Sequence, residues 1–356
     1  MRLVFLADSL VLQRAGIKKY NLQLLETISH YPNLQSLDII VPRKVDSLEQ
    51  YNQVVVPVGK FPGHQRLRQF SAIPKVVESL KPDLVIEPAH FGPFRLNKTV
   101  RRCTVIHDLT PITHADLHPT GSVWSHRLLM KRVLSKSNLI ITNSDATKQS
   151  IENYYPKVSN INVVYPEILP SNVTQPGDHI DQRQMSQYIL AIGTLEPRKD
   201  YLTLIKAFEK IRHDCDLVII GGVGWKHNAV DQYIDQSPKN NRIHVKGYVS
   251  ETEKLKLIRG ASLFASTSIA EGLGLPLLEV MPYHIPTVCS DIEPYREIGS
   301  EHFDYVEVGN IERFSAAIDQ SLSISSTKNF NNQISSWNNS RVTQIEELFT
   351  TFDQWQ

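Results

Sequence analysis

The chain has 356 residues, 41% of them apolar and 21% charged, with 16 glycines and 20 prolines; that length suits about two domains and excludes a stapled mini-protein, while the near-average composition excludes collagenous and low-complexity chains. The net charge of +1 hides two unlike halves, because residues 1–170 hold 21 lysines and arginines against 13 acids and residues 171–356 hold 17 against 24, so the first half reads either as a surface for an anionic partner or, its basic residues being dispersed, as a solvated face. Cys103, Cys215 and Cys289 lie far apart with no Cys-x-x-Cys spacing, which leaves neither a disulfide framework nor a zinc ribbon and reads as three buried apolar residues.

The first apolar run, Leu3–Ala7, is cut by Asp8. It is too short for the core of a secretion signal or a bilayer span and reads as a strand of a cytoplasmic protein. Behind it Ile17, Tyr20, Leu24 and Ile28 are spaced 3, 4 and 4 apart, one face of a helix. The same alternation continues through the runs Leu37–Val41, Leu84–Ile86, Thr104–Ile106 and Leu139–Thr142. After residues 166–187, which are rich in Pro, Asn, Gln and Asp and read as a linker, it resumes with Ile189–Ile192, Leu217–Ile220, Ile243–Val245, Leu263–Ala265 and Thr287–Cys289. Helical segments are expected at 200–211, 251–259 and 310–322. Strands apolar almost throughout belong in parallel sheets covered on both faces, so the fold class is α/β with two doubly wound domains. A Ser- and Asn-rich tail over 324–340 precedes a helical stretch from Arg341 to Phe352.

In such sheets ligands sit beyond the carboxyl ends of the strands, which makes the βα loops the places to search. After Leu263–Ala265 comes Ser268-Ile-Ala-Glu-Gly-Leu-Gly-Leu-Pro-Leu-Leu-Glu279, with Pro276 suited to open a helix. Gly272 and Gly274 let backbone approach a ligand, and the start of the helix offers an anion site. Glu271 and Glu279 flank it; carboxylates make poor phosphate ligands but good acceptors for sugar hydroxyls, the alternative being acids that merely complement a helix dipole. After Ile189–Ile192 comes Gly193-Thr-Leu-Glu-Pro-Arg-Lys-Asp200, where Arg198 and Lys199 set a planar fork beside a point charge, suited to two adjacent phosphoryl groups. Alone, such a pair reads equally as a solvated turn with Asp200 capping the next helix. His107 ends a strand beside Asp108, whereas His114, His118 and His126 read as surface or packing residues. Gly221-Gly-Val-Gly224 lacks the third glycine of a dinucleotide loop, and the sequons at Asn97, Asn172 and Asn338 are read as chance matches. No base-reading module is present, so no nucleic-acid partner is expected.

Together these residues resemble the retaining glycosyltransferases of family 4, enzymes of GT-B architecture that move a sugar from a nucleotide diphosphate to an acceptor. The resemblance is close over residues 188–309, in Gly193 to Lys199, Gly221-Gly222, Lys246-Gly-Tyr-Val-Ser250 and the E-x7-E pattern of Glu271 and Glu279. It is fainter in Ala15-Gly-Ile-Lys-Lys-Tyr20, Val105-Ile-His-Asp-Leu109, Thr142-Asn-Ser-Asp145 and Ser336-Trp337. By that resemblance Arg198 and Lys199 neutralise the donor diphosphate and Glu279 binds the ribose. Glu271 and the backbone of Gly272, Leu273, Gly274 and Leu275 hold the sugar, Tyr248 and Val249 line the base pocket, His107 contacts the transferred sugar, and Gly16 approaches the diphosphate. The first loop departs from the family's usual Gly-Gly-Ile-Gly-Arg pattern.

The resemblance implies an N-terminal acceptor domain over 1–170, a nucleotide-sugar donor domain over 171–335 and a terminal helix over 336–356 that packs back on the first domain. It also implies a cleft between two Rossmann-like domains. The expected partners are a nucleotide-sugar donor, with GDP-mannose narrowly first, and a saccharide or lipid-linked oligosaccharide acceptor of polysaccharide biosynthesis. The basic first half adds an expected peripheral contact with the inner face of an anionic membrane. Fixed positive charge at the leaving diphosphate needs no metal, and no His-Glu-x-x-His or comparable cluster is present, so no cofactor is expected. An epimerase or phosphorylase of the same architecture, or a binding scaffold without activity, are the competing readings.

Overall fold

The computed structural model describes residues 1–12, 16–59, 64–169, 187–324 and 328–355. It divides the chain into two compact units, one of Met1–Ile112, Gly121–Glu167 and Asn338–Gln356, the other of Thr113–Thr120 and Ile168–Trp337. The expected boundary at 170 and nearly all of the expected linker, like Ala15 and Asn172, lie outside the described residues.

The first unit is built on seven strands: β1 (Arg2–Leu6), β2 (Ser36–Val41), β3 (Asn52–Val55), β4 (Leu84–Glu87), β5 (Arg101–Ile106), β6 (Leu139–Thr142) and β7 (Ile161–Val163), in the spatial order β3-β2-β1-β4-β5-β6-β7. All pairings are parallel, with Leu3 flanked by Leu37 of β2 and Leu84 of β4. Successive residues of β1 feed opposite cores. Leu3 and Phe5 pack with Tyr20, Leu24, Leu25 and Ile28 of the helix Gly16–Ser29, whereas Val4 and Leu6 pack with Ile73 and Val77 of the helix Ala72–Leu80. A strand that alternates between two buried faces has to be apolar at every position, which is why Leu3–Ala7 reads as an uninterrupted run.

The second unit carries six parallel strands: β8 (Tyr188–Ile192), β9 (Asp216–Ile220), β10 (Ile243–Gly247), β11 (Leu263–Ser266), β12 (Thr287–Ser290) and β13 (Asp304–Val306), in the order β10-β9-β8-β11-β12-β13. The helices Tyr201–Lys210 and Ile311–Ser323 contribute Leu204, Phe208, Phe314 and Ile318 to one core beside Ile189, Leu217 and Leu263. Both units are therefore Rossmann-like layered α/β folds.

Three strands escape the sequence reading: β3, β7 and β13. They are edge strands of three or four residues with Asn, Gln or Asp among them, so no apolar run marks them. The terminal helix also starts earlier than Arg341 or 336: it spans Asn331–Asp353. Its first ten positions are mostly Asn and Ser, weak helix formers, but tertiary anchors override that preference. Gln333 Nε2 donates to the Ile298 carbonyl at 2.8 Å and Trp337 is buried. Further along, Leu348 and Phe352 are buried in the core of the first unit and Tyr31 OH donates to Asp353 Oδ1.

Candidate functional site

In the order β10-β9-β8-β11-β12-β13 the direction of winding reverses between β8 and β11, and an open α/β sheet offers its crevice at that reversal. The two loops that leave it are 193–200 and 267–274, the two segments that carry the sequence motifs. Asp200, at φ 46°, caps the helix Tyr201–Lys210 by accepting from the Thr203 N–H at 3.3 Å, as the capping alternative holds. The turn just before it, Pro197–Lys199, turns Arg198 and Lys199 toward the neighbouring loop.

There the cations converge on Glu271. Lys199 Nζ donates to Glu271 Oε1 at 2.5 Å, Arg198 Nη1 donates to Glu271 Oε2, and Arg198 Nη2 donates to Glu196 Oε1 at 2.7 Å. Arg198 also reaches the Ala270 carbonyl at 2.9 Å. Ser268 Oγ and Tyr295 OH add donors to Glu271 Oε1 at 2.8 and 3.4 Å. Arg198, Lys199 and Glu271 keep only 8–15% of their side-chain surface. Burial by itself pushes the Glu271 carboxyl upward, but the Arg198 and Lys199 charges outweigh it and hold it at about 2. The solvated-turn reading of Arg198 and Lys199 therefore fails.

The dipole alternative fails for Glu279. The helix runs only from Leu275 to Val280, which puts Glu279 in its last turn, away from the positive end. Its carboxylate, 14% exposed, instead takes both oxygens to Lys254 Nζ at 3.1 Å. Burial pulls the Lys254 ammonium down, and the carboxylates of Glu279 and Glu251 more than reverse it.

Backbone approach is set by two glycines. Gly274, at φ 117°, precedes the helix with Tyr295 so close that a Cβ there would lie 2.6 Å from its ring; Gly272 and Leu273 beside it are buried and Leu275 half-buried. At the end of β9 a Cβ on Gly222 would lie 2.4 Å from Tyr248 Cε2. The glycine lets the Tyr248 ring come up against the strand end while 55% of that residue stays exposed, with Val249 half-buried next to it. An exposed aromatic ring beside a glycine suits contact with a planar ring.

The first unit reverses its winding between β1 and β4. Gly16 opens the helix behind β1, and His107 follows β5, 4% exposed, with its ring edge-on to Tyr20 at 5.3 Å. The Pro88 carbonyl accepts from His107 Nε2 at 2.8 Å, so the neutral ring carries its proton there and leaves Nδ1 as an acceptor. Burial lowers its affinity for a second proton, only partly offset by Pro88 and Asp108. The His107 backbone N–H donates to His90 Nε2 at 3.0 Å, and His90 Nδ1 lies 3.3 Å from His126 Nε2. His126, expected as surface or packing, is buried in this chain of rings. Thr142-Asn-Ser-Asp145 is structural: Ser144 caps the helix Asp145–Tyr154 and Asp145 accepts from Tyr165 OH at 2.7 Å.

Sequence reasoning missed Glu196, Ser268, Tyr295 and Lys254. Glu196 and Ser268 sit inside the motifs and could have been read as charge and hydroxyl partners of Arg198 and Glu271; Tyr295 and Lys254 arrive from elements far along the chain. It also overlooked one Asp-x-Asp triplet, Asp214-Cys215-Asp216. That triplet enters β9 at the end opposite the site loops, and Arg242 binds both carboxylates with His244 3.0 Å from Asp216. Among the described residues no group of three or more His, Cys, Asp or Glu side chains is placed to hold a metal ion.

Residues 179–337 match the family described as Glycosyl transferases group 1. The chain is 25% identical over 356 residues to O-antigen chain mannosyltransferase B of Escherichia coli, covering 90% of this chain and 91% of that one. It is 24% identical over 318 residues to O-antigen chain mannosyltransferase RfbU of Salmonella typhimurium, covering 85% and 86%. Among solved structures, Anabaena Alr3699/HepE in complex with UDP and glucose superposes with a TM-score of 0.77 at 18% identity, covering 99% of this chain and all of that one.

Proposed function

We propose that the chain, whose fold is that of the GT-B enzymes, is a glycosyltransferase of the group 1 type and, more closely, a metal-independent, retaining mannosyltransferase that takes mannose from GDP-mannose and extends a saccharide or lipid-linked oligosaccharide. The observation that carries the reading is the meeting of Arg198, Lys199 and Glu271 at the reversal of the second sheet. Breaking a sugar–phosphate bond leaves a nucleoside diphosphate, and the largest stabilisation on offer is fixed positive charge at that group. Arg198 and Lys199 supply it. Glu271 takes sugar hydroxyls, Glu279 takes the ribose diol, and the Tyr248–Val249 corner takes the base. For His107 and Gly16 the proposed roles are a contact to the transferred sugar, through Nδ1, and to the diphosphate.

In the transfer an acceptor hydroxyl oxygen bonds to the anomeric carbon on the face the phosphate is leaving, the carbon–oxygen bond to phosphate breaks, and the hydroxyl proton passes to the departing phosphate oxygen. Mannose is preferred because the two relatives matched over most of their length carry mannosyltransferase names in O-antigen synthesis; the same names support a polysaccharide acceptor. No helix of the described residues is long and apolar enough to cross a membrane, and the proposed site of action is the cytoplasmic face, in peripheral contact with it.

The test is a melting-temperature panel of GDP, UDP, dTDP and ADP on the wild type and Glu279→Ala, followed by turnover with the sugar nucleotide selected. A ligand at about 100 times its Kd stabilises by roughly 2.7 kcal/mol. Stabilisation by GDP alone, weakened in Glu279→Ala, supports the donor; stabilisation by another base replaces it. Arg198→Ala and Lys199→Ala should each lower turnover about 10²-fold or more, and near-normal rates in both would refute the leaving-group role. Conversion of donor without acceptor would point to an epimerase, and binding without any turnover to a scaffold.

A further inference from the structure

The helix Thr120–Lys136 in the first unit buries Val123, His126, Met130, Val133 and Leu134, and Met130 and Leu134 join a core with Ile106, Leu109 and Ile140. At about 100° per residue, the opposite side is centred on Trp124 and Leu128, one turn apart, and these are 61% and 68% exposed. Arg127 and Lys131 border that apolar pair on one side and Arg132 and Lys136 on the other, all exposed. The helix contains no Asp or Glu.

This arrangement has two costs in water. A tryptophan and a leucine stand side by side in solvent without contributing to a core, and Arg127–Lys131 and Arg132–Lys136 are like-charge pairs four residues apart, which weaken a helix. A single kind of surface relieves both: one that is negatively charged at the headgroups and apolar just beneath. An indole is at home at that boundary, and long basic side chains lie along it with their charges in the headgroup layer. The excess of basic over acidic residues in the first half, 21 against 13 over residues 1–170, has the same sign. We propose that the Trp124–Leu128 face of this helix is the surface by which the protein lies on an anionic lipid bilayer, with Trp124 and Leu128 entering the interface and Arg127, Lys131, Arg132 and Lys136 pairing with lipid phosphates. The inference deepens the membrane part of the function proposed above and rests on it only for the choice of partner.

The test is sedimentation of the full chain with phosphatidylcholine vesicles, with and without phosphatidylglycerol, at low and high salt. The wild type should bind the anionic vesicles at low salt and be released by high salt. Each basic residue near such a surface strengthens partitioning about fivefold, so Arg127→Gln/Lys131→Gln/Arg132→Gln should weaken it by about 10². Trp124→Ser/Leu128→Ser should weaken it on the order of tenfold at unchanged net charge. The control Arg43→Gln/Lys44→Gln/Lys75→Gln removes the same charge from exposed positions of the same unit and should bind within about threefold of wild type. The proposal is overturned if the wild type does not bind, if it binds phosphatidylcholine alone equally well, or if the control loses as much as the helix variants. It is also overturned if the wild type is a dimer that Trp124→Ser/Leu128→Ser disperses, since the face then belongs to a second copy. Nucleotide-induced melting shifts on the same samples report the donor site separately, so failure of vesicle binding with the shift intact removes this proposal and leaves transfer standing.

Discussion

Replacing His90 with glutamine should remove about one proton's worth of pH dependence from the stability of the first unit. His90 sits at φ 67° and accepts the His107 backbone N–H on Nε2, so its own proton is on Nδ1, facing His126 Nε2 at 3.3 Å; His126 in turn gives its Nδ1 proton to the Ser122 carbonyl at 2.8 Å. Every link has one donor and one acceptor, and an added proton sets two N–H groups against each other. Burial first, then the neighbouring His107 and His126, draw His90 from 6.5 to about 3, with Asp108 opposing. The unfolded ring takes a proton below 6.5 and the folded ring does not until about 3, so this stability is complete above 6.5 and is lost as pH falls through that window. The slope is about 1.4 kcal/mol per pH unit, or about 2 kcal/mol between 6.5 and roughly pH 5. Glu87, buried with its carboxyl raised well above 4.5, acts in the opposite sense over the same range, and Glu271 contributes only below its ordinary 4.5. The difference between wild type and variant isolates His90, since both other groups are common to them. Urea unfolding of each at several values between about pH 7 and 5 should show the variant weaker by about 1 kcal/mol or more at the upper end, from the lost bonds, with the two curves converging on acidification. Parallel curves would refute the neutral relay.

Glu271→Gln removes the negative charge nearest Arg198 and Lys199, so the affinity for a nucleoside diphosphate, read by calorimetry, should rise severalfold while turnover of the sugar nucleotide falls about 10²-fold; weaker diphosphate binding would contradict the assigned division between phosphate and sugar. Gly222→Ala sets a methyl 2.4 Å from the Tyr248 ring, and because that residue is more than half exposed the ring should swing outward, leaving stability within about 1 kcal/mol but weakening nucleotide binding about tenfold; unchanged affinity would place the base elsewhere. Phe352→Ala empties a fully buried position in the core of the first unit and should cost about 3–5 kcal/mol, measured by urea unfolding; a loss under about 1 kcal/mol would mean that the terminal helix is not part of that core.

How much of this was legible from the residues follows from how local each signal is. Long buried strands such as β1 and β5 announce themselves because both faces need apolar side chains, whereas β3, β7 and β13 have one neighbour each and few residues, and their pairing is decided by the strand beside them. The site motifs are legible because each lies within one βα loop, where capping and turn chemistry are local: Asp200 before its helix and Gly274 before Pro276. Partners from other elements are not legible. Nothing in the sequence around Lys254 points to Glu279, 25 positions on, and nothing around Tyr295 points to Glu271. The same holds for His126, whose place among buried rings depends on two other segments folding against its helix.

The resting charge of the site bears on which group can move a proton. Arg198 and Lys199 are balanced by Glu196 and Glu271, so the cluster is neutral before any diphosphate arrives. Glu271, held at about 2, is ionised throughout the neutral range, and a carboxylate that gives up its proton so readily is a weak base toward a sugar hydroxyl. Both its oxygens already accept from cations, with Ser268 and Tyr295 as further donors. Such a group holds the protons of its donors in hydrogen bonds without taking them. In the transfer proposed above, the departing phosphate oxygen, gaining negative charge as its bond to carbon lengthens, is then the better acceptor for the proton of the incoming hydroxyl. That supports the proposed attack from the leaving group's own face, in which neither carboxylate at the centre of the site serves as nucleophile or base.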